Sequence, residues 1–143
     1  MFHRSASIGD AQALGELNHQ LIEDEGHRNP MTVPELVSRM RRWLETDYQA
    51  SIFEDGSAIV AYALYRYEND HVYLRQFFVQ RQKRRSGLGR HCLKILFSQV
   101  WPEGKRISVD VLCTNPGGIA FWKAVGFTDY CVTLEITNRT NNA

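Results

Sequence analysis

The sequence predicts an α/β protein, a single domain over residues 1–143 built around a mixed sheet, and three features predict it. Two N-terminal segments carry helix-start signals ahead of apolar residues at helical spacing. The middle of the chain holds β-rich runs joined by the turn dipeptides Asp55-Gly56 and Asn69-Asp70. A strand, an amphipathic helix and another strand then follow over residues 72–112, the order of a parallel, right-handed crossover.

Taken in order, a short strand is expected ahead of Ser7. Ser7-x-x-Asp10 reads as a capping box opening a helix with Leu14, Leu17 and Leu21 on one face. Thr32-x-x-Glu35 is a second box, with Pro34 in the first turn, where its missing N–H costs little. Leu36, Val37, Met40, Trp43 and Leu44 form the apolar face of that helix, and EDEGHRNPM between the two reads as an exposed loop. Residues 51–54 and SAIVAYALYRY make a hairpin, and HVYLRQFFV a third strand. Leu88, Cys92, Leu96 and Val100 recur every four residues, beside Leu93 and Phe97, as an amphipathic helix that Pro102 and Gly104 end. RISVDVLC is a strand, NPGGIAFWKAVGF a short helix closed by Gly126, and FTDYCVTLEI a final strand.

Composition narrows the function. A formal net charge of +1 gives no global field toward nucleic acid or an acidic membrane, so any basic function is local. No stretch approaches the roughly 20 apolar residues of a membrane span, and MFHRSASIGD lacks a signal-peptide apolar region. Cys92, Cys113 and Cys131 have no metal-type spacing and read as reduced core thiols of a cytoplasmic protein. The scattered histidines likewise point to no metal.

The local basic feature is RQKRRSGLGR, which places five basic residues and two glycines between a strand and a helix. A helix N-terminus presents unpaired N–H groups and partial positive charge, which suits phosphate. Gly87 and Gly89 let the backbone approach closely, and Arg84, Arg85 and Arg90 add charge and directed donors. The ligand expected is a pyrophosphate. No Gly-Lys-Ser/Thr triplet or GxGxxG occurs, so this is not a Walker or dinucleotide loop. A solvated basic loop, or a nucleic-acid surface with steep salt dependence, is the competing reading.

Arg84-Arg85-Ser86-Gly87-Leu88-Gly89 matches the (Gln/Arg)-x-x-Gly-x-(Gly/Ala) signature of the GCN5-related N-acetyltransferases, and VDVLCTNPGGIAFWKAVGF resembles that family's second motif. The likeness covers nearly the whole chain and is strongest over residues 72–127. It implies the family's acyl-CoA N-acyltransferase fold: a mixed sheet of about six strands flanked by four helices, splayed between the strands ending near Val79 and Cys113. It also implies acetyl-CoA as co-substrate and no metal. Phe77, Phe78 and Val79 would offer an open strand edge to the pantetheine arm. Arg84, Arg85, Ser86, Gly87, Leu88, Gly89 and Arg90 would cradle the pyrophosphate, and Asn115 would hydrogen-bond the arm.

Direct transfer to an amine calls for a base and an acid. By resemblance Asp110 stands where some family members place a Glu base, one methylene shorter and so working through a water; the alternative is an ordinary strand carboxylate. Trp122 stands at the family's usual Tyr acid position, and an indole N–H cannot transfer a proton. Trp122 is then either a wall of the arm's channel or core, with Tyr73 and Tyr130 as substitute acids. Cys113 reads as a buried thiol rather than a nucleophile. Glu23, Asp24 and Glu25, in the expected substrate loop, either attract a cationic amine or are simply solvated. The function expected is N-acetyl transfer to a primary amine of a small molecule or peptide. A non-catalytic acyl-CoA-binding module is the alternative, with no nucleic-acid or membrane partner. Little chain follows Phe127, which leaves a sheet edge for a homodimer to cover.

Overall fold

The computed structural model describes residues 1–142. Ser7 opens the first helical segment as its box predicts. The Ser7 main-chain N–H donates to Asp10 Oδ2 at 2.8 Å, and a 3₁₀ turn over Ile8–Asp10 leads into α1 (Ala11–Glu25). Gly26, at φ 64°, ends α1 in the left-handed cap that glycine adopts without strain. Glu23, Asp24 and Glu25 therefore belong to the last turn of α1 and not to a loop, because no breaker precedes Gly26. In α2 (Val33–Glu45), Thr32 N–H donates to Glu35 Oε1 at 2.9 Å and Glu35 N–H returns to Thr32 Oγ1 at 3.4 Å. The two helices touch at Gly15, where a Cβ would lie 2.7 Å from Val37 Cα.

The sheet contains β1 (Phe2–Ser5), β2 (Tyr48–Asp55), β3 (Ala58–Tyr67), β4 (His71–Val79) and β5 (Arg106–Val109), adjacent in that order. Every pairing is antiparallel except β4–β5, which is parallel. On one face Ile52, Tyr62, Leu64 and Phe78 pack with Leu14 of α1 and Met40 of α2. On the other, Phe53, Val72 and Leu74 pack with Leu93 of α3 (Leu88–Ile95), Leu96 of its π-helical continuation (Leu96–Val100) and Trp101 just beyond it. Phe121 and Trp122 of α4 (Pro116–Ala124) lean on that second core.

Three expectations are corrected. Among the described residues five strands form, not about six, because 127–136 pairs with none of them; a strand exists only through its ladder. Tyr130, Val132, Leu134 and Ile136 stand between 81 and 90% exposed instead of lining a core. The splay opens at Val109, not Cys113, since β5 is only four residues long. Of the cysteines, Cys92 alone is buried, its thiol pushed up to about 12 by desolvation, whereas Cys113 and Cys131 are exposed.

One irregularity positions the rest. Leu64 faces Gln76 and Tyr65 faces Leu74, so Arg75 is an unopposed bulge in β4. The bulge reverses side-chain parity: Val72 and Leu74 point to the α3 core, but Gln76 and Phe78 point to the α1–α2 side, where Tyr62 Oη donates to Gln76 Oε1 at 2.8 Å. Pairing with β5 ends at the same place, the last partners being Leu74 and Val109. Residues 75–79 thus keep β3 on one side and have no strand on the other.

Candidate active site

The open side of β4 exposes specific main-chain groups. Gln80 N–H bonds Val60 O at 2.8 Å toward β3, so by strand alternation Phe78 also spends its main chain there. Phe77 and Val79 direct theirs into the splay, and the Val79 carbonyl accepts from Arg84 Nε at 3.0 Å. Phe78, expected to share the edge, instead buries its ring completely against Tyr62, with ring centroids 5.7 Å apart.

Beyond Val79, a 3₁₀ turn at Arg81–Lys83 and the left-handed Arg85 (φ 61°) and Gly87 (φ 85°) swing the chain into α3. The His91 N–H to Gly87 O bond, 3.0 Å, is the first of the helix, so the N–H groups of Leu88, Gly89 and Arg90 have no helical partner. An open cleft of about 270 Å³ borders this end, lined by Met1, Asp55, Val60, Lys83, Ser86, Gly87, Leu88 and His91, with Lys83 3.9 Å from the Asp55 carboxylate. Gly89 has a different reason to be glycine than phosphate approach: a Cβ there would meet the Phe121 ring at 3.1 Å. Arg85 is exposed, and Arg90 donates to Ala124 O at 3.3 Å.

Two of the loop's cations are held by α1. Arg81 Nε donates to Asp24 Oδ1 at 2.7 Å, and Arg84 donates to Asp24 Oδ2. Burial works to raise the Asp24 pKa, but the hydrogen bonds from Arg81 and Arg84 outweigh it and hold the carboxyl below its usual range. His19 Nδ1 lies 3.1 Å from Glu23 Oε1. Glu25 is pushed up by desolvation and then by the charge of Asp24.

Asp110 stands exposed one residue beyond the last β4–β5 pair, where Tyr73 Oη donates to its Oδ2 at 3.0 Å. Burial, then the Asp110 charge, pushes the Tyr73 phenol up to about 12, so it keeps its proton at neutral pH. Trp122 is half-buried, its ring centroid 5.5 Å from Phe77, 5.0 Å from Phe121 and 5.0 Å from Phe127. It is part of an aromatic wall against the first open residue of the edge. Asn115 accepts from Gly118 N–H at 3.1 Å as the N-cap of α4, which leaves its Nδ2 for other partners. Tyr130 lies in the exposed C-terminal run and joins none of these groups.

The fold thus brings together Tyr73 with Asp110, Phe77 with Trp122, and Val79 with Arg84. Sequence reading placed Trp43 only on the apolar face of α2 and missed Arg39, Tyr48 and Arg75, which cluster with it where the bulge faces α2. Only the Arg39/Trp43 i, i+4 spacing hinted at them.

The chain matches the acetyltransferase (GNAT) family model over residues 18–127. It belongs to that family. Solved structures agree on the fold: the tetramutant of BH1408 from Bacillus halodurans superposes with a TM-score of 0.77 at 21% identity, covering 96% of this chain and 100% of that one. A predicted acetyltransferase with acetyl-CoA from Clostridium acetobutylicum gives 0.75 at 18% identity, over 95% of each chain. Aminoglycoside N-acetyltransferase AAC(6')-Iy in complex with CoA gives 0.74 at 15%, over 96% of this chain and 94% of that one. No curated protein matches the sequence.

Proposed function

We propose that this protein is an N-acetyltransferase that moves an acetyl group directly from acetyl-CoA to a primary amine of a small molecule or peptide. The observation that carries the reading is the bulged, half-paired β4, whose outer edge has no strand partner and runs straight into a glycine-opened helix N-terminus. Phe77 and Val79 pair with the amides of the pantetheine arm in the manner of an added strand. The Leu88, Gly89 and Arg90 N–H groups take the pyrophosphate, with Arg84, Arg85 and Ser86 around it. Asn115 Nδ2 meets the arm from the opposite wall. Asp110 accepts the proton of the acceptor ammonium, directly or through one water, and Tyr73 fixes its orientation. The amine nitrogen bonds to the thioester carbon, the nitrogen gives its second proton to solvent as the C–S bond breaks, and the thiolate leaves. With an ordinary thiol pKa near 8.5, the thiolate takes its proton from water, and Trp122 shields the reacting centre without donating one.

Calorimetric titration with acetyl-CoA tests the site, beside Gly87→Glu, which sets a carboxylate at the phosphate cradle. Micromolar binding lost in the variant is expected; no binding by the parent protein overturns the reading. Release of free thiol on adding amines then separates the enzyme from the second reading, a non-catalytic acyl-CoA-binding module, which the indole at position 122 favours.

The same proposal includes a homodimer. Tyr130, Val132, Leu134 and Ile136 alternate along the C-terminal run, and among the described residues neither that run nor the outer edge of β5 has a strand partner. A second copy's run laid on that edge supplies the missing ladder and covers the apolar residues. Three free cysteines, two of them exposed, fit a reducing cytoplasmic setting, and among the described residues no helix is long and apolar enough to cross a membrane.

A further inference from the structure

A group of side chains on the α1–α2 side of the bulge has no part in the reaction just described. Arg75, the bulged residue, is exposed, and its guanidinium carbon lies 4.6 Å from the centroid of Trp43. Arg39, one turn before Trp43 on α2, lies 4.3 Å from the same ring. Arg75 Nη1 donates to Tyr48 Oη at 3.3 Å, and Arg39 Nη2 to Asn18 Oδ1 at 3.2 Å. Neither has a carboxylate among the described residues, whereas Arg66 nearby holds Glu68 at 2.6 Å and Asp47 at 3.7 Å. Arg39 Nε is buried without any hydrogen-bond partner. Desolvation, and then the charge of Arg75, press the Arg39 pKa down.

Two like charges sharing one aromatic ring, with an orphaned donor and no counter-ion, form an arrangement that lacks an anion. Guanidinium donors take planar oxyanions in bidentate fashion, and the rings of Trp43 and Tyr48 offer a floor for an apolar body. The place matters as much as the charge. Arg75 follows Tyr73 by two positions on β4, a step of about 6–7 Å, and Tyr73 is the residue that holds the proposed base. From the arrangement of Arg39, Arg75 and Trp43, with Arg75 two positions from the Tyr73 that bonds Asp110, we infer that the acceptor is a small amine bearing a carboxylate, a free amino acid or a short peptide. The carboxylate lies on Arg39 and Arg75 and the amine lies toward Asp110. The inference rests on the acetyl-transfer reading for its choice of amine.

The same geometry rejects a polycation. The acidic residues that looked available to attract one are engaged: Asp24 by Arg81 and Arg84, Glu23 beside His19, while Glu25 is desolvated. A polyamine or aminoglycoside would bring positive charge to two unpaired guanidinium groups.

The test is calorimetric titration of the CoA-saturated protein with common amino acids and dipeptides, each beside its C-terminal amide, and with spermidine. At least one acid is expected to bind, with its amide roughly tenfold or more weaker. Arg75→Gln should erase that difference while acetyl-CoA affinity, the folding control, stays unchanged. Equal binding of acid and amide, no binding by any acid, or binding of spermidine in preference to the acids would overturn the inference. Acid-selective binding without thiol release on acetyl-CoA would leave the anion site standing and remove the transferase reading.

Discussion

At the splay, Asp110, the proposed base, already accepts a hydrogen bond from Tyr73. Asp110→Asn keeps the shape and removes the proposed base, so kcat is expected to fall about 10²–10⁴-fold in a thiol-release assay with acetyl-CoA binding intact. Equal turnover would return Asp110 to the role of an ordinary strand carboxylate. Away from the site, Asp10 is held down to about 2, chiefly by its hydrogen bonds with Arg4, against an ordinary 3.8. A depressed carboxylate pKa contributes stability above the ordinary value that is lost as pH falls from about 4 toward 2. Thermal melts followed by circular dichroism should therefore show Tm dropping over that interval, and less steeply in Asp10→Asn. Asp110 was legible because a motif places it. The Arg39–Trp43–Arg75 cluster was not, since it depends on a bulge that no local pattern in HVYLRQFFV announces.

Among the elements, the two capped helices and the β2–β3–β4 meander were plain in the sequence because capping boxes and turn dipeptides act locally. Strand lengths near the splay were not: RISVDVLC is β-rich throughout, yet only Arg106–Val109 meets a partner, because the bulge in β4 ends the shared register. The α1–α2 crossing depends on a single glycine whose purpose the sequence did not disclose. Gly15→Ala would put a methyl 2.5 Å from Val37 Cγ2 and 2.7 Å from its Cα, forcing the helices apart. The expected loss is about 1–3 kcal/mol in urea unfolding. Gly89→Ala, against the movable Phe121 ring at 3.1 Å, should cost less; the reverse ranking would mean that α1 and α2 slide freely.

For the whole molecule, the proposed dimer turns on the final segment. The alternation in FTDYCVTLEI reads as a strand, yet the segment forms none here, because alternation does not supply a neighbour to pair with. Deleting residues 128–143 should give a monomer by light scattering where the full chain is a dimer. A monomeric full chain would leave the apolar run without a role in assembly.

The half-paired β4 has one more consequence, in the time domain. Amides bonded to β3 are locked into the centre of the sheet and should exchange with deuterated solvent only when the sheet opens. The Phe77 and Val79 amides look outward from the same strand, and they should exchange orders of magnitude faster than that of Phe78 between them. One short peptide would thus carry a slow–fast alternation, and acetyl-CoA should silence the fast members alone.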